Sequence, residues 1–237
     1  MTEQADIMVV TPHPDDAESR MAGSVARWAR DGKRIVYVVC TNGDKGTSDP
    51  NVNPADLAAT REEEQLAAAE VLGVKAVEFL RHPDQSLEES GQFRKDIVRL
   101  IRQYKPDTVV TVDPYRGRLD HRDHRTTARV VMDAIYPFAV TPHSYPDLLE
   151  QGFQPHRVKE MLFCGTDNPD YFVDVTDTFD LKVTALQCHK SQIGDLPRFS
   201  GMMRERAETL AEGKGYDLAE GFYRIEVDWQ LVSVLFN

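Results

Sequence analysis

Short apolar runs alternate with amphipathic segments along the first part of the chain. Continuous apolar runs of strand length occur at residues 7–11 and 35–40, and apolar positions recur at helical spacing over residues 17–31 between them. Runs that are apolar at nearly every position are typical of parallel strands covered on both faces. This strand–helix–strand order predicts a doubly wound parallel sheet.

The same alternation continues to residue 226. We expect further strands at residues 76–80, 108–111, 158–164, 171–175 and 219–226, and helices near residues 55–72, 93–104, 121–137, 178–189 and 202–214. No repeat, low-complexity tract or linker composition interrupts the pattern, so residues 1–237 are expected to form a single domain. The predicted fold class is α/β: a Rossmann-like arrangement of three α/β/α layers with a mostly parallel central sheet.

One segment does not fit this alternation. Residues 142–156 lack a clear period and contain Pro142, Pro146 and Pro155. Long irregular segments in a compact domain are often functional. We therefore expect an excursion that acts as a lid or as one wall of a substrate site.

Composition narrows the class of partner. The formal net charge is -11 and the sequence pI is about 5.1, which argues against nucleic acid and against an anionic membrane surface, because both attract basic proteins. No apolar stretch reaches the roughly 18 residues of a membrane-spanning helix. The first residues lack the features of a signal peptide, so a cytoplasmic location is expected. Cys40, Cys164 and Cys188 are far apart and are expected to be reduced.

Charged residues are concentrated directly after the first predicted strand. Residues 13–16 (HPDD) place one imidazole and two carboxylates where the strand ends and the next helix begins. Adjacent carboxylates repel each other and lose hydration near an apolar core, and a bound cation would offset both effects. The alternative is a turn rich in Asp that caps the following helix.

A second concentration follows the fourth predicted strand, at residues 120–124 (DHRDH). His121 and His124 are three residues apart, so both imidazoles lie on one face at the start of a helix. Catalytic zinc sites present three His or carboxylate ligands and leave one position open. His13, Asp16 and His124 supply that set, although iron(II) could replace zinc because the ligand set is not strongly selective.

The remaining polar groups suit hydrolysis of an amide. Asp15 could accept a proton from metal-activated water as the general base. His121 could stabilise the oxyanion or protonate the leaving amine. Asp123 would serve as the carboxylate that orients an imidazole, and we expect that imidazole to be His121.

With these motifs the chain resembles the PIG-L/LmbE-like zinc-dependent deacetylases, a family that includes N-acetylglucosaminyl de-N-acetylases and amidases of mycothiol and bacillithiol metabolism. The resemblance implies zinc on His13, Asp16 and His124, Asp15 as base, and His121 as the acid or electrostatic group. It covers most of the chain, because five further features also match: Glu18, the glycine loop of residues 41–47, an RxxE pair (Arg61, Glu64), an HxSQ segment (His189, Ser191, Gln192) and a closing AExF (Ala219, Glu220, Phe222).

Two positions depart from the family pattern, and the roles of three further residues stay open. Ala17 follows HPDD where the family often has Glu, and Asp84 is followed by Gln85 where the family commonly has Gly or Ser. Asp84 is still a candidate for binding a substrate hydroxyl. Arg61 could clamp a glycan or carboxylate, or form a buried ion pair with Glu64, and His189 is expected to be a structural or rim residue.

The expected activity is removal of an N-acetyl group from a small amino-sugar substrate of the N-acetylglucosamine type, which releases acetate and a free amine. An amidase that cleaves a larger amide in a thiol conjugate is one alternative. A non-catalytic metal- or sugar-binding module is another, but it would need neither Asp15 nor His121. The family resemblance also implies a homo-oligomer.

Overall fold

The computed structural model describes residues 4–230. Its sheet contains seven strands: β1 (Ile7–Thr11), β2 (Ile35–Thr41), β3 (Ala76–His82), β4 (Thr108–Val112), β5 (Glu160–Cys164), β6 (Tyr171–Asp174) and β7 (Ala219–Glu226). The helices are α1 (Asp16–Arg30), α2 (Pro54–Leu72), α3 (Gly91–Tyr104), α4 (Arg122–Asp133), α5 (Pro146–Glu150), α6 (Phe179–Leu186) and α7 (Leu196–Ala211). A π-helical turn over Ala134–Phe138 continues α4.

The sheet order is β3-β2-β1-β4-β5-β7-β6. β1 pairs in parallel with both β2 and β4, so that Ile7 lies opposite Ile35 on one side and Thr108 on the other. β7 is antiparallel to its neighbours β5 and β6. The predicted mostly parallel α/β sheet is therefore confirmed.

The sheet is covered by helices on both faces. α1, α2 and α6 pack together on one face, and α3 packs with α4 on the other. β1, β2 and β4 are buried at every position, which explains why their sequences are apolar without alternation. None of the helices within residues 4–230 has both the length and the apolar character needed to cross a membrane.

The chain changes direction across the sheet at β1. It runs from β1 outward through β2 to β3, and then returns to place β4 on the other side of β1. Ligands of open α/β sheets bind in the crevice beside the carboxyl ends of the strands at this switch point. The HPDD turn follows β1 and the DHRDH segment follows β4, so the topology brings the two polar clusters to the same crevice.

The segment 142–156 contains α5 and packs on α3. The Arg102 guanidinium donates hydrogen bonds of 2.9 and 3.0 Å to the carbonyls of Thr141 and Ser144, and Tyr145 donates one of 3.1 Å to the Gly91 carbonyl. The cavity beside Asp15, described below, is lined by α1 and by residues 192–202 instead. The segment therefore does not line the cavity beside Asp15, and its role as a lid or substrate wall stays a prediction.

Helix α7 begins at Leu196, six residues before the start near residue 202 that the sequence pattern predicted. Asp195 caps this helix by accepting a hydrogen bond of 3.1 Å from the Arg198 backbone N–H, and Pro197 lies in its first turn. An Asp cap followed by Pro is a normal helix start. The apolar pattern begins only later, and for this reason the prediction placed the helix start near residue 202.

Candidate active site

The HPDD turn separates its two carboxylates. Asp15 adopts a left-handed backbone conformation with φ 89°, and α1 begins at the next residue. Asp16 Oδ2 accepts a hydrogen bond of 3.1 Å from the His13 backbone N–H and lies 3.1 Å from His13 Nδ1. Asp16 is therefore turned back toward the imidazole, whereas Asp15 is held on the other side of the turn.

The second cluster reaches the first through His124. His124 Nε2 lies 3.2 Å from Asp16 Oδ1, and its other ring nitrogen, Nδ1, lies 3.0 Å from Asp120 Oδ1. A carboxylate on the far nitrogen of an imidazole is the arrangement that orients histidine ligands of metals. Sequence reasoning did not assign a role to Asp120, although its position four residues before His124, just ahead of α4, could have indicated one.

The cluster is built to stabilise positive charge. Burial lowers the pKa of His13, but Asp123, Asp16 and Asp84 outweigh this effect and raise the pKa to about 11. Burial raises the pKa of Asp16, yet His124, His13 and Arg20 hold that pKa well below its ordinary value. Such a surplus of negative charge favours either a proton or a metal cation at this position.

Two groups of three side chains in residues 4–230 could hold a metal ion, and both contain His13. One is His13, Asp16 and His124, and the other is His13, Asp84 and His121. His13 Nε2 is buried and forms no hydrogen bond of regular geometry within residues 4–230, although Asp84 Oδ1 lies 3.1 Å away, so this nitrogen and the carboxylates around it can bind a cation. The donor set of the first group, two imidazoles and one carboxylate, fits zinc.

Asp15 lies at the wall of a cavity of about 490 Å³. Burial and the neighbouring Asp16 raise the pKa of Asp15 to about 6, although Arg61 and His189 oppose the shift. A carboxylate with a raised pKa can accept a proton at neutral pH, which is what a general base must do. The cavity is lined by residues of α1, α7 and the loop before α7: Asp15, Ser19, Gln192, Ile193, Gly194, Asp195, Arg198, Phe199 and Met202.

Arg61 lies beneath the turn and not in the cavity. It is 3% exposed, and its guanidinium donates to the Gly43 carbonyl at 2.9 Å, to the Pro14 carbonyl at 2.7 Å and to Asp15 Oδ2 at 2.9 Å. A side chain on Gly43 would collide with this guanidinium, so the glycine loop makes room for it. The expected partner Glu64 instead accepts hydrogen bonds from Ser191. The structure therefore does not show the ion pair between Arg61 and Glu64, and the role of Arg61 in substrate binding stays a prediction.

His121 is exposed beside the metal-binding groups. Its Nδ1 accepts a hydrogen bond of 3.2 Å from the Asp123 backbone N–H, so in the neutral ring the proton is on Nε2. Burial and the positive charge of His13 lower the pKa of His121, which favours this neutral form. The ring is 4.7 Å from the His13 ring, measured between centroids. His121 therefore presents an N–H donor to the surface of the site.

The carboxylates of Asp123 and Asp84 face His13. Asp123 Oδ2 lies 3.6 Å from His13 Nε2 and accepts a hydrogen bond of 2.7 Å from the Gln85 backbone N–H. Asp84 Oδ1 lies 3.1 Å from His13 Nε2, and Asp84 is 4% exposed. Asp123 thus orients His121 through its backbone and not through its carboxylate as expected. Asp84, a candidate for binding a substrate hydroxyl, lies in the site, and its carboxylate faces the His13 imidazole.

A buried network of polar side chains, which was not predicted from the sequence, contacts the HPDD turn on its interior side. Gln65 accepts a hydrogen bond of 3.0 Å from the Asp15 N–H and donates one of 3.0 Å to Glu18. Glu18 in turn lies 3.3 Å from His189 Nε2, and both side chains are fully buried. His189 is therefore an interior residue and does not lie at the rim of the site.

The order of the motifs on this fold defines a class of protein: a doubly wound α/β domain with HPDD after β1 and HRDH after β4. Residues 8–135 match the PIG-L family, described as GlcNAc-PI de-N-acetylase, and the chain belongs to this family.

Individual relatives agree with this assignment. The diacetylchitobiose deacetylase of Thermococcus kodakarensis is 34% identical over 186 residues, which cover 78% of this chain and 69% of that protein. The probable N-acetyl-alpha-D-glucosaminyl L-malate deacetylase 2 of Bacillus anthracis is 26% identical over 90% of this chain and 91% of that protein. The solved N,N'-diacetylchitobiose deacetylase of Pyrococcus horikoshii superposes with a TM-score of 0.88 at 31% identity, covering 94% of this chain and 84% of that one.

Proposed function

We propose that the protein is a zinc-dependent hydrolase that removes the N-acetyl group from a small substrate of the N-acetylglucosamine type. The observation that carries the proposal is the position of Asp15: its carboxylate faces a cavity of about 490 Å³ and is adjacent in the chain to Asp16 of the first metal-binding group. The similarity to diacetylchitobiose and N-acetylglucosaminyl malate deacetylases supports this substrate class.

The metal would be held by His13, Asp16 and His124. This group is preferred because the Asp120 carboxylate orients His124 and because it leaves His121 and Asp15 available for chemistry. When bound, zinc supplies Lewis acidity, which lowers the pKa of water and polarises an acyl oxygen. Iron(II) would supply the same chemistry from this donor set.

Asp15 and His121 have different roles in hydrolysis of the amide. Asp15 accepts the proton of the water that attacks the acyl carbon, and Arg61 and Gln65 hold the carboxylate toward the cavity. His121 donates a hydrogen bond from Nε2 to the acyl oxygen as negative charge develops there. When the C–N bond breaks, the proton goes to the amine nitrogen, and acetate and a free amine are the products.

Acetate release tests the proposal directly. The purified protein, dialysed and reloaded with one equivalent of zinc, should release acetate from N-acetylglucosamine, N,N'-diacetylchitobiose or a simple N-acetylglucosaminide. Chelation of the metal should stop the reaction, and added zinc should restore it. Absence of acetate from every compound, combined with unaltered binding of these compounds by an Asp15→Ala variant, would exclude the deacetylase function.

The same assay separates the alternatives. An amidase for a thiol conjugate would release its larger acyl group from a mycothiol-type substrate and little acetate, whereas a binding module would bind zinc and sugar without releasing either acid.

We further propose that the protein is a homo-oligomer, that each chain forms a single domain, and that the protein is located in the cytoplasm. Light scattering of the purified protein and cell fractionation would test the oligomeric state and the location.

A further inference from the structure

A second cavity, of about 480 Å³, adjoins the cavity that contains Asp15, and the two share Ser19, Phe199 and Met202 as a common wall. We refer to it as the arginine cavity, because four arginines line it: Arg20, Arg116, Arg118 and Arg206. Its one acidic lining residue, Glu220, is paired with Lys182 at 2.6 Å. In a chain with a formal net charge of -11, this concentration of positive charge is not explained by overall composition.

Two of these guanidinium groups converge on Gly165. A Cβ atom added to Gly165 would lie 2.8 Å from Arg20 Nη1 and 3.9 Å from Arg116 Nη1, and the glycine itself has φ +68°. The absence of a side chain at this residue therefore leaves room for two positively charged groups to approach the same point. Two like charges at close range repel each other unless an anion lies between or beside them.

The carboxylates near these arginines are already engaged. Arg20 Nε lies 3.3 Å from Asp16 Oδ1, and Arg116 Nη1 lies 3.2 Å from Asp120 Oδ2. In the proposed function Asp16 binds the metal, and Asp120 already contacts His124 at 3.0 Å. Each carboxylate is shared, so the arginine cavity keeps a surplus of positive charge.

Several guanidinium N–H groups also remain available. The Arg116 side chain is only 8% exposed, and its Nε is buried without a hydrogen-bond partner among residues 4–230. Arg118 approaches Asp167 only to 3.8 Å, and Arg206 donates a long hydrogen bond of 3.4 Å to the Thr166 carbonyl. A buried donor without a partner lowers stability, and a bound acceptor would remove that penalty.

We propose that the arginine cavity binds an oxyanion, a carboxylate or a phosphate, that the substrate itself carries. This inference rests on the proposed function: the N-acetylated sugar occupies the cavity with Asp15, and the acidic group attached to it extends past Phe199 and Met202 to the arginines. Guanidinium groups bind carboxylate and phosphate through paired hydrogen bonds, which gives geometric as well as charge selectivity. The substrate class is therefore an amino sugar with an acidic substituent.

The test compares two glycosides that differ only in charge. The carboxymethyl glycoside of N-acetylglucosamine carries a carboxylate, and the 2-hydroxyethyl glycoside has a neutral group of similar size. We expect the zinc-loaded enzyme to show a kcat/KM at least about tenfold higher for the acidic glycoside, because charge-assisted hydrogen bonds form only with it. Arg206→Gln should reduce this ratio about tenfold, whereas Arg204→Gln, on the same helix but paired with Asp180, should leave the ratio unchanged.

Added malonate or inorganic phosphate separates a substrate-borne group from a free anion. Competitive inhibition of acidic-glycoside hydrolysis by malonate would support the proposal. If malonate instead altered hydrolysis of the neutral glycoside, and the enzyme did not prefer the acidic one, the site would serve a free anion and the substrate assignment would be wrong. Equal rates with both glycosides and no response to malonate would overturn the proposal while the deacetylase function stands.

If neither glycoside were hydrolysed, the proposed deacetylase function would be contradicted, and the anion-binding role of the arginine cavity would need a test of its own. Titration calorimetry of the acidic glycoside with the wild type and with Arg206→Gln would then decide the site on its own. Binding of equal strength to both proteins would contradict the role of the arginine cavity.

Discussion

Arg61 and Asp15 are joined by a hydrogen bond of 2.9 Å that fixes the carboxylate from beneath its own turn. The left-handed conformation of Asp15, with φ 89°, costs about 1–3 kcal/mol for a residue other than glycine. Two residues of α2 offset this cost, because Arg61 also donates to the Pro14 carbonyl and Gln65 accepts the Asp15 N–H. The orientation of Asp15 is thus set by the packing of α2 against the turn.

Arg61→Lys should lower kcat about 10- to 100-fold with little change in KM, because a small misplacement of a catalytic group costs activity of that order. Lysine keeps the positive charge but cannot reach the Pro14, Gly43 and Asp15 oxygens together. Steady-state kinetics on an N-acetylglucosaminide would measure the effect. Arg81→Lys, at an exposed ion pair with Glu62, is the control and should behave as the wild type. A rise in KM alone would indicate instead that Arg61 clamps the substrate.

Asp15→Asn should reduce kcat about 10²- to 10⁴-fold, the range expected for loss of a general base. The amide has the same size and can still accept the hydrogen bond from Arg61, so the turn should keep its shape. Zinc content, measured by atomic emission after dialysis, should equal that of the wild type. Loss of zinc together with activity would instead make Asp15 a metal ligand.

The two metal-binding groups around His13 make opposite predictions for zinc content. If His13, Asp16 and His124 bind the ion, then His124→Gln and Asp16→Asn should each lose most of the zinc, because one of three protein ligands is removed. Asp84→Asn should retain zinc and affect activity only through the orientation of His13. Retention by His124→Gln combined with loss in Asp84→Asn would assign the metal to the group of His13, Asp84 and His121.

The strands of the sheet could be predicted from sequence because a strand buried on both faces is a continuous run of apolar residues. β1, β2 and β4 are buried at every position, and each was predicted to within one residue at either end. The convergence of residues 13–16 with residues 120–124 also followed from topology, since both segments leave adjacent parallel strands at the same edge.

The partners of individual side chains could not be predicted in the same way. An ion pair between Arg61 and Glu64 was one of two expectations from sequence, yet the tertiary packing of α2 directs Arg61 to Asp15 and Glu64 to Ser191. Likewise, Asp123 follows His121 by two residues, but its carboxylate faces His13. Such choices depend on rotamers and on neighbouring elements, which sequence spacing does not record.

Glu220 stabilises a break in α1. The helix is interrupted at Met21, with φ -146°, and the N–H groups of Gly23 and Ser24 donate to the Glu220 carboxylate at 3.2 and 2.7 Å. Lys182 pairs with the same carboxylate at 2.6 Å, and both charged side chains are 5% exposed. The AExF segment of the sequence thus contains the residue that links β7 to α1.

Lys182→Met should lower the free energy of unfolding by about 3–5 kcal/mol, because it leaves a buried carboxylate without its charged partner. Urea denaturation followed by circular dichroism would measure the loss. The matched control is Lys159→Met, which removes an ion pair with Asp107 at a side chain that is 70% exposed and should cost no more than about 1 kcal/mol. The double variant Lys182→Met/Glu220→Gln should recover part of the loss, since the amide oxygen can still accept from α1 and no unpaired charge remains. Equal losses in the Lys182 and Lys159 variants would show that the two backbone N–H groups alone satisfy Glu220.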